Sequence, residues 1–136
     1  MKVILVLIVC LLFAFMAEGA DWVKVTVTPR GDIYFVDNDS VVHVEDNVRA
    51  TTKHVLNEPL QEEKGTIYST RSDEEYDCSK RRTRRTSLHA YDMNNEKILW
   101  NYSPLQAKSP DISVSWRRIQ PGTAKHEIYK FLCDPQ

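Results

Sequence analysis

Two hydrophobic patterns divide the chain. Residues 3–16 form an almost unbroken apolar run behind Lys2, whereas from residue 22 onward apolar and polar side chains alternate. In residues 22–28, Val23, Val25 and Val27 fall on one face and Lys24, Thr26 and Thr28 on the other, the period-two pattern of a half-buried strand. The turn residues Pro29-Arg30-Gly31-Asp32 lead into Ile33-Tyr34-Phe35-Val36, so a hairpin is the economical arrangement. A second turn over Asp37-Asn38-Asp39-Ser40, a short extended piece at 41–44 and a strand at 48–56 follow, and residues 57–65, with Pro59 and Gly65, read as a loop. Residues 66–78 and 81–93 predict two longer antiparallel strands around a turn near Ser79-Lys80, and residues 96–102 another strand after Asn94-Asn95. A second loop is expected at 103–113 and an extended segment at 114–119. Beyond Pro121-Gly122 the period changes: Thr123 is placed to cap a helix whose apolar stripe is Ile128, Phe131 and Leu132 and which Cys133 closes. The expected fold class is α+β, mostly an antiparallel β-sheet of about five to seven strands, with one C-terminal helix packed on it and tethered by a disulfide.

The apolar run has the form of a secretory signal peptide, residues 1–19, with small residues in Ala17-Glu18-Gly19 favouring cleavage after Gly19 and Ala20 as a second choice. It is shorter than the roughly 20 apolar residues that cross a bilayer. Cys10 lies inside the run rather than in a lipobox, so no acyl or other stable membrane anchor is expected. Removal of 19 from 136 residues leaves 117, residues 20–136, the size of a single domain. Cys78 and Cys133 are then the remaining thiols in an oxidising compartment, and an even count there favours a bridge over two buried thiols. Closing a loop of that length stabilises a fold by about 4 kcal/mol in the chain-entropy model.

With 18 basic and 19 acidic side chains the charge is nearly balanced, which argues against a nucleic-acid partner. The visible cluster is Lys80, Arg81, Arg82, Arg84 and Arg85, a candidate patch for a protein or anion. Just before it stands Asp73-Glu74-Glu75-Tyr76-Asp77, and in a hairpin the two runs would face and neutralise each other. Cross-strand pairing is therefore the favoured reading, with part of the set, such as Arg81 and Arg85, left for an acidic partner. His43, His54, His89 and His126 are scattered, so the sequence carries no metal or cofactor signature. Ser87 and His89 would share a strand face, yet no nucleophile elbow accompanies them, and no catalytic residue is assigned. Trp22, Trp100 and Trp116 suit core or edge positions better than a stacking platform. Asn38-Asp39-Ser40 and Asn101-Tyr102-Ser103 are glycosylation sequons, of consequence in a eukaryotic producer.

Several of these elements together resemble the surface-adhesin protein E family of Gram-negative envelope proteins. The matching residues are Trp22 at the start, Tyr34-Phe35-Val36-Asp37 followed by Ser40, Tyr76-Asp77-Cys78 with Arg82 and Arg84, Tyr91-Asp92, and Trp116-Arg117-Arg118-Ile119-Gln120-Pro121-Gly122-Thr123 through Glu127 to Cys133. The resemblance implies a sheet with a packed helix, the same disulfide, no enzymatic activity, and adhesin-like binding of host matrix or plasma proteins. The leader departs from those of lipid-anchored adhesins in lacking a lipobox. Two non-enzymatic readings follow: an exported envelope or secreted interaction domain of adhesin type, with the periplasm, the medium and the cell surface all open as its destination, and a soluble periplasmic structural or stress-related protein that binds another envelope component. A binder of a small acidic or aromatic ligand is a weaker third. Exposed sheet edges leave room for a homodimer.

Overall fold

The computed structural model describes residues 19–99 and 115–134. Residues 1–18 of the expected leader at 1–19, Trp100, the second sequon and the loop expected at 103–113 lie outside them. The strands are β1 (Trp22–Val27), β2 (Ile33–Asp37), β3 (Val42–Val44), β4 (Asn47–Glu62), β5 (Gly65–Asp77), β6 (Arg82–Tyr91), β7 (Lys97–Leu99) and the two-residue β8 (Arg117–Arg118); the helix α1 is Ala124–Cys133. All pair antiparallel in one sheet of order β1-β2-β4-β5-β6-β7, with β3 on β4 and β8 on β6. The architecture is the expected α+β one: among the described residues there are seven strands of three residues or more, an eighth short one, and one C-terminal helix.

The period-two pattern sets which face is buried. Val36, Val48, Ala50 and Tyr76 from neighbouring strands meet Ile119, Ile128 and Leu132, with Val25, Tyr34 and Phe131 packed around them. Val36, Tyr76 and Ile128 are fully buried, and sequestering an aliphatic side chain of this size contributes about 1.5–3 kcal/mol. The helix starts as its sequence predicts: Thr123 has extended backbone and its Oγ1 accepts the His126 N–H, while Gly122 before it takes a φ of 77°. Cys78 and Cys133 are disulfide-bonded, 55 residues apart, and Tyr129 Oη donates to the Cys78 carbonyl at 2.8 Å beside the bridge. The bond fastens the end of α1 to the end of β5.

Two expectations are corrected. Val27 does not continue the buried face of β1, because the register shifts between Lys24 and Thr26 and leaves it half exposed; one extra residue in a strand reverses the facing of everything after it. Residues 57–65 are not a loop. The β4–β5 hairpin resumes beyond a register shift, with Leu60 opposite Ile67, Gln61 opposite Thr66 and Glu62 opposite Gly65, and it turns at residues 63–64. Pro59 falls inside the irregular stretch, where a missing N–H breaks no regular ladder bond. The polar composition of this segment reflects a solvated hairpin tip rather than loss of pairing.

Candidate functional site: a cationic cleft beside strand β6

The acidic and basic runs meet across the β5–β6 ladder. Asp77 is opposite Arg82, Glu75 opposite Arg84 and Glu74 opposite Arg85. Arg82 Nε lies 2.9 Å from Asp77 Oδ2, Arg84 Nη2 2.8 Å from Glu75 Oε2, and Arg85 Nε 3.5 Å from Glu74 Oε1. The three carboxylates are buried, so they need these partners far more than an exposed pair would. Burial alone would raise the Asp77 and Glu75 carboxyls; hydrogen bonds from Ser79, the Lys80 amide and Arg82 to Asp77, and from Arg84 and Asn47 to Glu75, hold both below their ordinary values. The Trp116 ring then covers the pair Arg82 and Arg84, its centroid 4.8 and 4.6 Å from their guanidinium carbons.

Glu74 sits deeper, on the helix side. Its carboxylate accepts from Tyr76 Oη at 2.5 Å and from Lys125 Nζ of α1, with Arg85 beside it. Burial raises its pKa, but the charges of Lys125 and Arg85 and the two hydrogen bonds outweigh it and leave the group ionised below its ordinary range. Lys125 is lowered, by burial first and then by Arg85, against the pull of Glu74. The carboxylate thus answers two cations, and neither cation is fully neutralised.

The basic cluster read from the sequence is therefore divided. Arg82, Arg84 and Arg85 all have buried carboxylate partners, so Arg85 is not left for an acidic ligand alone as expected. Lys80 and Arg81 are exposed in the turn, where Arg81 has a φ of 51° and its carbonyl accepts the Ile119 N–H at 3.0 Å. That bond, with Thr83 opposite Arg117 and Arg82 opposite Arg118, lays β8 along the outer edge of β6.

The pairing closes a cleft of about 360 Å³ between β6, β8 and the start of α1, lined by Arg84, Arg85, Leu88, Arg117, Arg118 and Lys125 among others. Five cations border it against the two buried carboxylates Glu74 and Glu75, a surplus of three positive charges. Arg117 and Arg118 are exposed and have no ion-pair partner among the described residues. Sequence reading missed both as site residues, and Lys125 with them. The signal was the dibasic pair Arg117-Arg118, but its proximity to Arg84 and Arg85 depends on a pairing some 35 residues distant, of the non-local kind that no local pattern encodes.

The other candidates separate. Ser87 Oγ donates its proton to Asp73 Oδ2 at 2.6 Å, which commits the hydroxyl to a carboxylate. His54 bonds Asp32 at 3.0 Å and stacks on Tyr34, while His126 stacks on Tyr129. No cluster of three or more metal-ligating side chains occurs among the described residues. Trp22 and Trp116 are not core residues; both are half-buried and lie against cations. In the first sequon, Asn38–Ser40 form a 3-10 turn in which Ser40 Oγ donates to the Asp37 carbonyl and accepts the Thr51 N–H.

Among solved structures the chain is similar to Haemophilus influenzae protein E. Its crystal form II matches with a TM-score of 0.57 at 13% identity, covering 87% of this chain and 94% of that one. A second structure of that protein gives 0.56 at 14% identity, covering 87% and 90%. At such identity the likeness concerns the fold. No curated protein sequence matches. The model of the family described as surface-adhesin protein E matches residues 22–134, nearly all of the chain beyond the leader region. The chain belongs to the surface-adhesin protein E family.

Proposed function

We propose that the protein is an exported, non-enzymatic adhesin-like envelope protein that holds an acidic segment of a protein partner, a host matrix or plasma protein, in the cleft beside β6. The observation that carries this reading is the charge imbalance there: Arg117 and Arg118 stand exposed, without an ion-pair partner among the described residues, next to Arg84, Arg85 and Lys125. A cleft lined by one sign of charge concentrates opposite charge and speeds encounter, with a strong dependence on ionic strength. Leu88 and Ile119 give its floor an apolar component, so a segment mixing acidic and apolar side chains fits it. Family membership supports the adhesin class, and the leader read at residues 1–19 supports export.

The test is to present the mature chain, residues 20–136, to a panel of immobilised matrix and plasma proteins, and to shave intact producer cells with protease. Saturable binding to an acidic partner, weakening by about tenfold or more between low and physiological salt, together with loss of the protein on shaving, is the expected result. Absence of saturable binding to every member, or protection from protease with release by osmotic shock, would sink the adhesin reading in favour of a periplasmic protein that binds another envelope component.

A further inference from the structure

The sheet face opposite α1 carries a second cationic feature, unrelated to the cleft. Strand register places Phe35 of β2, Lys53 of β4, Arg71 of β5 and His89 of β6 in one row across four strands. Three inter-strand spacings make that row roughly 14 Å long. Trp22 and Tyr91 flank it. Lys53 Nζ lies 5.6 Å from the Trp22 ring centroid and 5.8 Å from that of Phe35, and the Arg71 guanidinium lies 5.5 Å from Trp22 and 4.3 Å from Tyr91.

Two cations directly opposite one another on a sheet repel. Elsewhere this protein answers each strand arginine of β6 with a carboxylate, but no carboxylate of the described residues is paired with Lys53 or Arg71. Arg71 Nε is buried and donates to nothing. Ring faces offset part of the repulsion, each cation–π contact contributing about 0.5–2 kcal/mol, yet a ring supplies no lone pair for a guanidinium N–H. Burial, and then Arg71, lower the pKa of Lys53, as befits an ammonium without a counterion.

We propose that this row is a binding site for a sulfated polysaccharide, whose sulfates answer Lys53 and Arg71 while its sugar rings lie against Trp22 and Tyr91. The composition of the row selects that ligand over a protein surface. It offers aromatic rings and cations, and the exposed aliphatic side chains on the same face stand outside the row itself: Val27 opposite Ile33, Val42 opposite Arg49, Val44 opposite Asn47 and Leu60 opposite Ile67.

Heparin octasaccharide titrated into the wild-type mature chain, followed by two-dimensional NMR, tests the assignment without mutation. Shifts centred on the Trp22 indole and the amides around Lys53, Arg71 and Tyr91 are expected, and shifts centred on Arg117 and Arg118, or none, would overturn it. The Lys53→Gln/Arg71→Gln variant is expected to lose affinity by about tenfold or more. Unchanged affinity in that variant would contradict the proposal, as would the same shifts at the Trp22 indole produced by desulfated octasaccharide or by polyglutamate of matched charge. Should the Gln variant unfold by circular dichroism, the NMR map decides alone.

Discussion

Arg82 on β6 and Arg118 on β8 face each other across two hydrogen-bonded strands, yet they occupy opposite roles. Arg82 is bound to the buried Asp77 and covered by Trp116; Arg118 stands in solvent with no carboxylate partner among the described residues. The same contrast separates Arg85, which answers Glu74, from Arg117, which answers nothing described. The difference lies in the neighbouring strand. β6 has the acidic β5 on its inner side, while β8 pairs with β6 alone among the described residues. A cation opposite a buried carboxylate is part of the fold, because removing it strands a charge away from water. A cation opposite another cation destabilises the fold slightly and is available to a ligand.

This division can be broken in graded ways. The largest effect concerns the tether that positions α1, and hence Lys125, over Glu74. The Cys78→Ser/Cys133→Ser variant is expected to lose about 4 kcal/mol, from loop-closure entropy over the separation of 55 residues, read by chemical denaturation of the mature chain. Next is Glu74→Gln, which leaves Arg85 and Lys125 without their shared anion and weakens the acceptor for Tyr76. About 3 kcal/mol of stability should be lost, and a melting temperature equal to that of the wild type would show that the ladder is not structural.

Acid should act in the same direction. Glu74, Glu75 and Asp77 all have folded pKa values below their ordinary ones. A carboxyl depressed in this way contributes stability that is complete above its unfolded pKa and is lost as pH falls through the lower folded value. Stability should therefore hold down to about pH 4.5, the ordinary value for glutamate, and decline below it. A denaturation midpoint unchanged between pH 6 and about pH 3 would contradict the linkage.

Local chemistry made much of this legible. Thr123 caps the helix, Ile128 and Leu132 form its buried stripe, and Cys78 finds Cys133, each through patterns a few residues long or through a count of two. The neutralisation of Arg82 and Arg84 followed from acidic and basic runs separated by one turn. What escaped depends on register. The shift between Lys24 and Thr26 turned Val27 outward, the realignment beyond Pro59 extended the β4–β5 hairpin, and the seating of β8 on β6 brought Arg117 and Arg118 to the cleft. A bulge is one residue in the chain but a reversal of faces in space. Pairing between distant strands is fixed by the assembled sheet, so a strip of like charge in the sequence was divided by the fold into paired and unpaired members.

The most direct test sets two variants side by side, Arg82→Ser and Arg117→Ser/Arg118→Ser, and measures melting temperature and affinity for the acidic partner on the same preparations. The account predicts that Arg82→Ser lowers the melting temperature while largely keeping affinity, and that Arg117→Ser/Arg118→Ser melts within about 0.5 kcal/mol of the wild type while losing affinity about tenfold or more. Retained affinity in the second variant, or a melting temperature unmoved in the first, would contradict the division between cations that hold the fold and cations that hold a ligand.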